Sequence, residues 1–162
     1  MNTALHQVNF DGALLTRGFW LYVWEINTRD GRTLHYVGKT GDKASGVSQS
    51  PFDRLSKHLG HNENNNALRR YLTRAGIDPT SCRLRFVAYG PLFPRTSTAK
   101  HAELCDIMSG LEKGLADALK EAGYDVLNPV GCRKPPDRRR WNRLRAAFAE
   151  YFPRLTRRKS KA

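Results

Sequence analysis

From Gly18 to Asn27 the chain reads GFWLYVWEIN, an aromatic and β-branched run that predicts a strand. TRDGRT follows with an Asp30-Gly31 turn signal, and TLHYVG then reads as a second strand, so the two predict a hairpin with a short loop. KTGDKASGVSQ is polar and Gly/Ser-rich, a loop. Ser50-Pro51 opens a helix: Ser50 can cap it, Pro51 suits the first helical position, and Asp53 suits the positive end of the dipole. That helix, PFDRLSKHL, stops at Gly60, and a second one is expected over about 65–75, ended by Gly76. CRLRFVAYG predicts a third strand, with Leu84, Phe86 and Ala88 alternating. Ser97 or Thr98 starts a long helical stretch to about Ala122, with a break or bend expected at Ser109-Gly110. Its second half puts Leu111, Leu115, Ala118 and Leu119 on one stripe, and Gly123 ends it. YDVLNPVG is a short extended segment. RKPPDRRR has the look of a linker, and RRWNRLRAAFAEYF predicts a basic helix carrying Trp141, Leu144, Phe148 and Phe152. The first 17 residues show little periodicity, and no internal repeat is present.

The order β-β-α-α-β-α predicts an α+β domain, a small, mainly antiparallel three-stranded sheet flanked by helices, followed by a basic helical C-terminal tail. The expected division is an N-terminal segment over 1–17, a domain over 18–131 and the tail over 132–162. The aromatic positions of the tail helix are expected to pack it onto the domain rather than to stack on bases.

The chain has 162 residues and a formal charge of +13. Residues 131–162 hold 12 Lys/Arg against 2 Asp/Glu, a net +10, while the other 130 residues hold 16 against 13, a net +3. A concentrated polycation suits a polyanion, above all nucleic acid; a solubilising tail is the plainer alternative. No apolar run reaches the roughly 20 residues of a membrane span, and the first residues lack the pattern of a signal peptide, so the expectation is a cytoplasmic protein. Cys82, Cys105 and Cys132 form no CxxC pair, which predicts reduced thiols, small residues for burial rather than a disulfide or metal framework.

HYVGKTGD, His35 to Asp42, contains the Gly-Lys-Thr that ends a phosphate-binding P-loop. That loop needs a glycine where Thr33 stands, and it follows a strand, whereas Gly38 ends one. Nucleotide binding is therefore not expected. The hairpin instead brings together Tyr22 and Tyr36, with Gly38 allowing a close approach and Lys39 adding a cation. Arg54 and His58 share a helix face at i and i+4. Arg offers a planar fork for phosphate and His can bond or carry a proton; a solvated face on a basic protein is the competing reading. Glu112 sits beside an apolar stripe, where a carboxylate is costly unless it is paired or holds a cation; an exposed helix charge is the alternative. Asn128 follows the long helix, where its amide could bond a carboxylate or a phosphate.

With these residues in view the chain resembles the GIY-YIG nuclease family, named for two short strand motifs about a dozen residues apart. Trp20-Leu21-Tyr22 stands for the first, with Trp in place of its glycine, and Tyr36-Val37-Gly38 for the second. Arg54 and His58, then Glu112, then Asn128 follow in the family's order, and the likeness spans about residues 18–131. The resemblance implies a metal-dependent endonuclease that hydrolyses phosphodiester bonds, in double-stranded DNA above all, with one divalent ion, Mg²⁺ or Mn²⁺. It implies that Glu112 holds the metal, with Glu103 as the other candidate, and that Arg54 stabilises the pentacovalent transition state. Tyr22 would help take a proton from the attacking water; a free tyrosine is a poor base at neutral pH unless nearby cations lower its pKa, which Lys39, Arg54 and the metal-bound phosphate could supply. Tyr36 and His58 would position water or phosphate, and Asn128 would hold the site's geometry. Arg138, Arg139, Arg140, Arg143 and Arg145 of the tail would face the nucleic acid. A non-catalytic nucleic-acid-binding protein that keeps the fold is the alternative.

Overall fold

The computed structural model describes residues 3–41, 48–60 and 66–156. Most of the loop expected after Lys39, the start of the second helix at Asn65 and the last residues of the tail lie outside the described residues. The first two strands are β1, Gly18–Asn27, and β2, Thr33–Lys39. They pair antiparallel with Tyr22 opposite Gly38 and Trp24 opposite Tyr36. Gly31 takes a φ of 86°, which the Asp30-Gly31 signal anticipates, and the Thr28 amide closes the turn on the Arg32 carbonyl at 2.9 Å.

Helices α1, Pro51–Leu59, and α2, Ala67–Arg74, follow. Ser50 caps α1 reciprocally: the Asp53 amide donates to Ser50 Oγ, and the Ser50 amide donates to Asp53 Oδ2, each at 3.1 Å. Strand β3, Arg83–Pro94, pairs antiparallel with the other edge of β1. Helix α3 then runs unbroken over Thr98–Glu121, without the expected interruption at Ser109-Gly110. Gly110 and Gly114 serve packing instead. A Cβ at Gly110 would stand 3.2 Å from the Lys134 carbonyl, and one at Gly114 3.2 Å from the Pro136 ring. The segment after α3 thus crosses it closely at two glycines four residues apart.

The short segment Asp125–Val126 forms β4, paired parallel to β2 at Leu34 and His35. The sheet is therefore mixed and four-stranded, in the order β3-β1-β2-β4, and not the three-stranded sheet the sequence suggests. A pairing across about ninety residues leaves no local pattern to read. Helix α4, Arg138–Ala149, completes the fold. Among the described residues no helix is long and apolar enough to cross a membrane. Cys105 is buried, Cys82 and Cys132 are half-buried, and none of the three is in a disulfide.

Both faces of the sheet are covered, which explains why β1 shows an almost continuous apolar run instead of alternation. On one face Phe19, Leu21, Val23 and Val37 pack against Met108, Leu111, Leu115 and Leu119 of α3 and against Leu144 and Phe148 of α4. Phe152 and Leu155, just beyond α4, join the same core. The apolar side of the tail helix thus packs onto the domain, as its spacing predicts. On the other face Tyr22, Trp24, Ile26, Leu34 and Tyr36 pack against Leu68 and Leu72 of α2, with Leu55 and Leu59 of α1.

Candidate active site

Tyr22, at the middle of β1, is fully buried. It points to the α1 face, and its ring lies where a Cβ at Gly38 would be: an added carbon would stand 2.5 Å from the ring. The glycine of Tyr36-Val37-Gly38 is thus required by the tyrosine of the neighbouring strand. Tyr22's hydroxyl is 2.6 Å from His58 Nε2, and Phe86 of β3 packs on its ring at 5.2 Å. Tyr36, two residues before Gly38, also lies against His58, with ring centres 5.2 Å apart, and against Tyr71 of α2 at 6.0 Å. The face of α1 that carries Arg54 and His58 is therefore turned to the sheet and not to solvent: His58 is buried and Arg54 half-buried.

Burial dominates the proton equilibria. It pushes the Tyr22 phenol up to about 12, although the Arg54 guanidinium beside it pulls the other way. In the protein alone, desolvating the phenolate costs more than the Arg54 guanidinium returns. Tyr36 is raised further, by burial and then by Tyr22 and Glu112. His58 is drawn down to about 3, by burial and then by Arg54, so its ring is neutral at neutral pH. In one tautomer Tyr22 donates to Nε2; in the other Nε2–H donates to the phenolic oxygen. Nδ1 is buried and makes no hydrogen bond.

On the α3 side, Lys39 at the end of β2 brings its Nζ to 3.9 Å from Glu112 Oε2. Burial pushes the Glu112 carboxyl up to about 7 in spite of Lys39 and Arg54. Its charge is thus incompletely balanced, which suits an oxygen donor for a hard divalent cation. Among the described residues no group of three or more His, Cys, Asp or Glu side chains stands together, so Glu112 would hold such an ion mainly with water and substrate oxygens. Glu103 is exposed and borders a groove with Asp106, Ile107, Lys134, Pro135, Pro136 and Asp137; nine residues before Glu112, it lies on the opposite side of α3. Of the two acids, Glu112 is the one near the tyrosines.

The Asn128 amide is turned to the backbone of β2 and not to a carboxylate. Its Oδ1 accepts from the Val37 amide at 3.0 Å and its Nδ2 donates to the Val37 carbonyl at 2.8 Å. It continues the pairing of β2 beyond the end of β4 and so fixes the strand between Tyr36 and Gly38. Thr40 is a positioning residue that the sequence reading missed. It is buried; its Oγ1 donates to the Gly18 carbonyl at 2.6 Å and accepts from the Trp20 amide at 2.8 Å. It ties the end of β2 to the start of β1, where the β1–β3 register shifts between Phe19 and Leu21. A lone threonine after a strand carries no signal of that role.

The tail arginines divide. Arg138, Arg139, Arg140 and Arg143 are exposed, and the last three line an open groove with Asp137. Arg140 also lies over the Phe93 ring at 5.1 Å and 3.4 Å from Asp137. Arg145 turns inward, contrary to expectation: its Nε and Nη2 donate to the Leu155 carbonyl at 3.0 and 2.7 Å. It sits one turn after Trp141 on the apolar side of the helix, where the chain end folds back.

The fold and site define an α+β protein with a buried phenol–imidazole pair, a guanidinium beside it and an adjoining carboxylate–ammonium pair. Compared with protein-family models, with curated proteins and with solved structures, the chain matches none.

Proposed function

We propose that the protein is a metal-dependent endonuclease that hydrolyses phosphodiester bonds in DNA. The observation that carries this reading is the convergence of Tyr22, Tyr36 and His58 with Arg54 beside them and the Lys39–Glu112 pair adjoining, contributed by β1, β2, α1 and α3 to one end of the hairpin. Phosphodiester cleavage needs cations against an anionic phosphate, a carboxylate for a metal and a path for the proton of water; this set supplies each. A divalent ion at Glu112 would polarise the scissile phosphate. Arg54 would bind its oxygens and neutralise the charge that develops on them.

Tyr22 is too weak an acid to serve as a free phenolate. The pair Tyr22–His58 supports a relay: the phenolic oxygen takes the proton of water while its own proton passes to His58 Nε2. A phosphate at Arg54 offsets the guanidinium charge that depresses His58, so the base strengthens when substrate is bound. Arg138, Arg139 and Arg143 would contact backbone phosphates, which give affinity without choosing a sequence.

The test is supercoiled plasmid incubated with the protein in Mg²⁺ or in EDTA. Nicking or linearisation in Mg²⁺ only, lost in Arg54→Ala and Glu112→Ala and kept in Glu103→Ala, supports the reading. Intact DNA and RNA in both Mg²⁺ and Mn²⁺ overturns it and leaves a nucleic-acid-binding protein.

A further inference from the structure

Among the Lys and Arg ion pairs of the described residues, Lys39–Glu112 is the most enclosed, with side chains 20% and 17% exposed. It is also loose. The 3.9 Å separation leaves no hydrogen bond between the partners, and among the described residues the Lys39 ammonium donates only over 3.4 Å, to the Gly41 carbonyl. The ammonium therefore stands where the counterion of Glu112 belongs, on a flexible stem at the end of β2, without being locked there.

We infer that Lys39 is the resident counterion of Glu112, and that the site takes up a divalent cation only together with a backbone phosphate, which draws Lys39 away. This rests on the nuclease reading above. A divalent cation that arrives alone meets an ammonium beside the carboxylate and the Arg54 charge nearby. Displacing Lys39 then leaves two like charges in a half-enclosed space with one carboxylate between them. A phosphodiester changes both sides of the exchange. Its oxygens complete the shell of the metal, and its negative charge receives the ammonium that leaves Glu112. Metal and phosphate then bind with positive coupling, and by linkage each strengthens the other by the same factor. The ligand of the site is thus a metal–phosphodiester pair rather than a free ion.

The experiment measures Mn²⁺ binding to the full-length protein from the free-Mn²⁺ electron paramagnetic resonance signal. It is done with and without a phosphorothioate duplex that resists cleavage, and Glu112→Gln supplies the background of ions bound elsewhere. In the wild type the duplex tightens Glu112-dependent binding by about tenfold or more. Lys39→Met binds Mn²⁺ without DNA about fivefold or more tighter than wild type, and the duplex then adds correspondingly less. Lys39→Arg keeps the cation and behaves as wild type, and circular dichroism checks that both variants are folded. Glu112-dependent binding that is no tighter in Lys39→Met, or a duplex effect of equal size in wild type and Lys39→Met, overturns the exchange and leaves the nuclease reading standing. Binding that Glu112→Gln never alters, with plasmid left uncut, overturns the nuclease reading itself and the exchange with it.

Discussion

Replacing Glu112 by Gln stabilises the protein above neutral pH and leaves it almost unchanged near pH 4.5. The carboxyl is raised from 4.5 to about 7, so the folded state holds a proton that the unfolded chain has released. Below pH 4.5 both states are protonated and the group makes no difference. Between 4.5 and about 7 the unfolded state binds fewer protons, and stability falls as pH rises. Above about 7 the folded state carries the full cost of a desolvated carboxylate, about 3 kcal/mol for a shift of this size. The side chain is only 17% exposed, so solvent screening reduces that figure little. Gln keeps the shape without the charge, and its advantage over Glu therefore grows from near zero at pH 4.5 to about 3 kcal/mol at pH 8. At roughly 2–4 °C per kcal/mol for a chain of this length, Tm at pH 8 rises by about 6–12 °C. Thermal melts followed by circular dichroism at pH 4.5, 6, 7 and 8 measure it. A variant no more stable than wild type at pH 8, or a difference that does not change with pH, refutes the reasoning that burial outweighs Lys39 and Arg54.

His58 acts in the opposite sense. Its depressed pKa, about 3, means that the unfolded chain takes up a proton below pH 6.5 that the folded chain refuses; stability falls as pH drops through that window, by up to about 5 kcal/mol, and urea titrations of His58→Gln show a flatter acid limb. Gly38→Ala drives a methyl into the Tyr22 ring and lowers stability by about 1–3 kcal/mol with loss of cleavage, whereas Gly12→Ala, with no atom within 4 Å of the added carbon, changes neither in the same denaturation and plasmid assays. Arg143→Ala reduces the slope of log K against log salt for a DNA duplex by about 0.9 at unchanged stability. Arg145→Ala leaves the slope and lowers stability by about 1–3 kcal/mol, since the Leu155 carbonyl loses both donors; gel-shift titrations and melts of the two variants separate them.

What the sequence reveals is what is encoded locally. The hairpin, the Ser50–Asp53 cap and the stops at Gly76 and Gly123 are each written in a few adjacent residues, and each stands where it was read. The i, i+4 spacing of Arg54 and His58 shows a shared face but not its direction; that depends on Leu55 and Leu59 docking α1 over Tyr22. Gly110 reads as a helix breaker, yet the approach of the Lys134–Pro136 segment, more than twenty residues away, makes it a contact position. The pairing of β4 with β2 and the clasp of Asn128 on Val37 have no local signature at all. The raised Tyr22 pKa has no local signature for the same reason. The cations around it can be counted from the sequence, but the burial that outweighs them comes from both strands, α1 and Phe86 together.

The basic helix therefore cannot be treated as an appendage that only supplies affinity. Leu144, Phe148, Phe152 and Leu155 lie in the same core as Leu111 and Leu115 of α3, and Trp141 and Pro136 pass within 3.4 Å of the position a Cβ would take at Gly114. Glu112 is carried on that stretch of α3, so the packing of α4 helps set where the carboxylate stands relative to Lys39 and Tyr22. Cutting the chain near Gly131 would strip four buried side chains from one face of the sheet, and loss of a single buried Phe of this kind costs about 3–5 kcal/mol. Such a truncation reports on folding, not on phosphate contacts. On the nuclease reading, any binding by the tail has to be read from single exposed arginines, and the fold that exposes them also packs the stretch of α3 that carries Glu112.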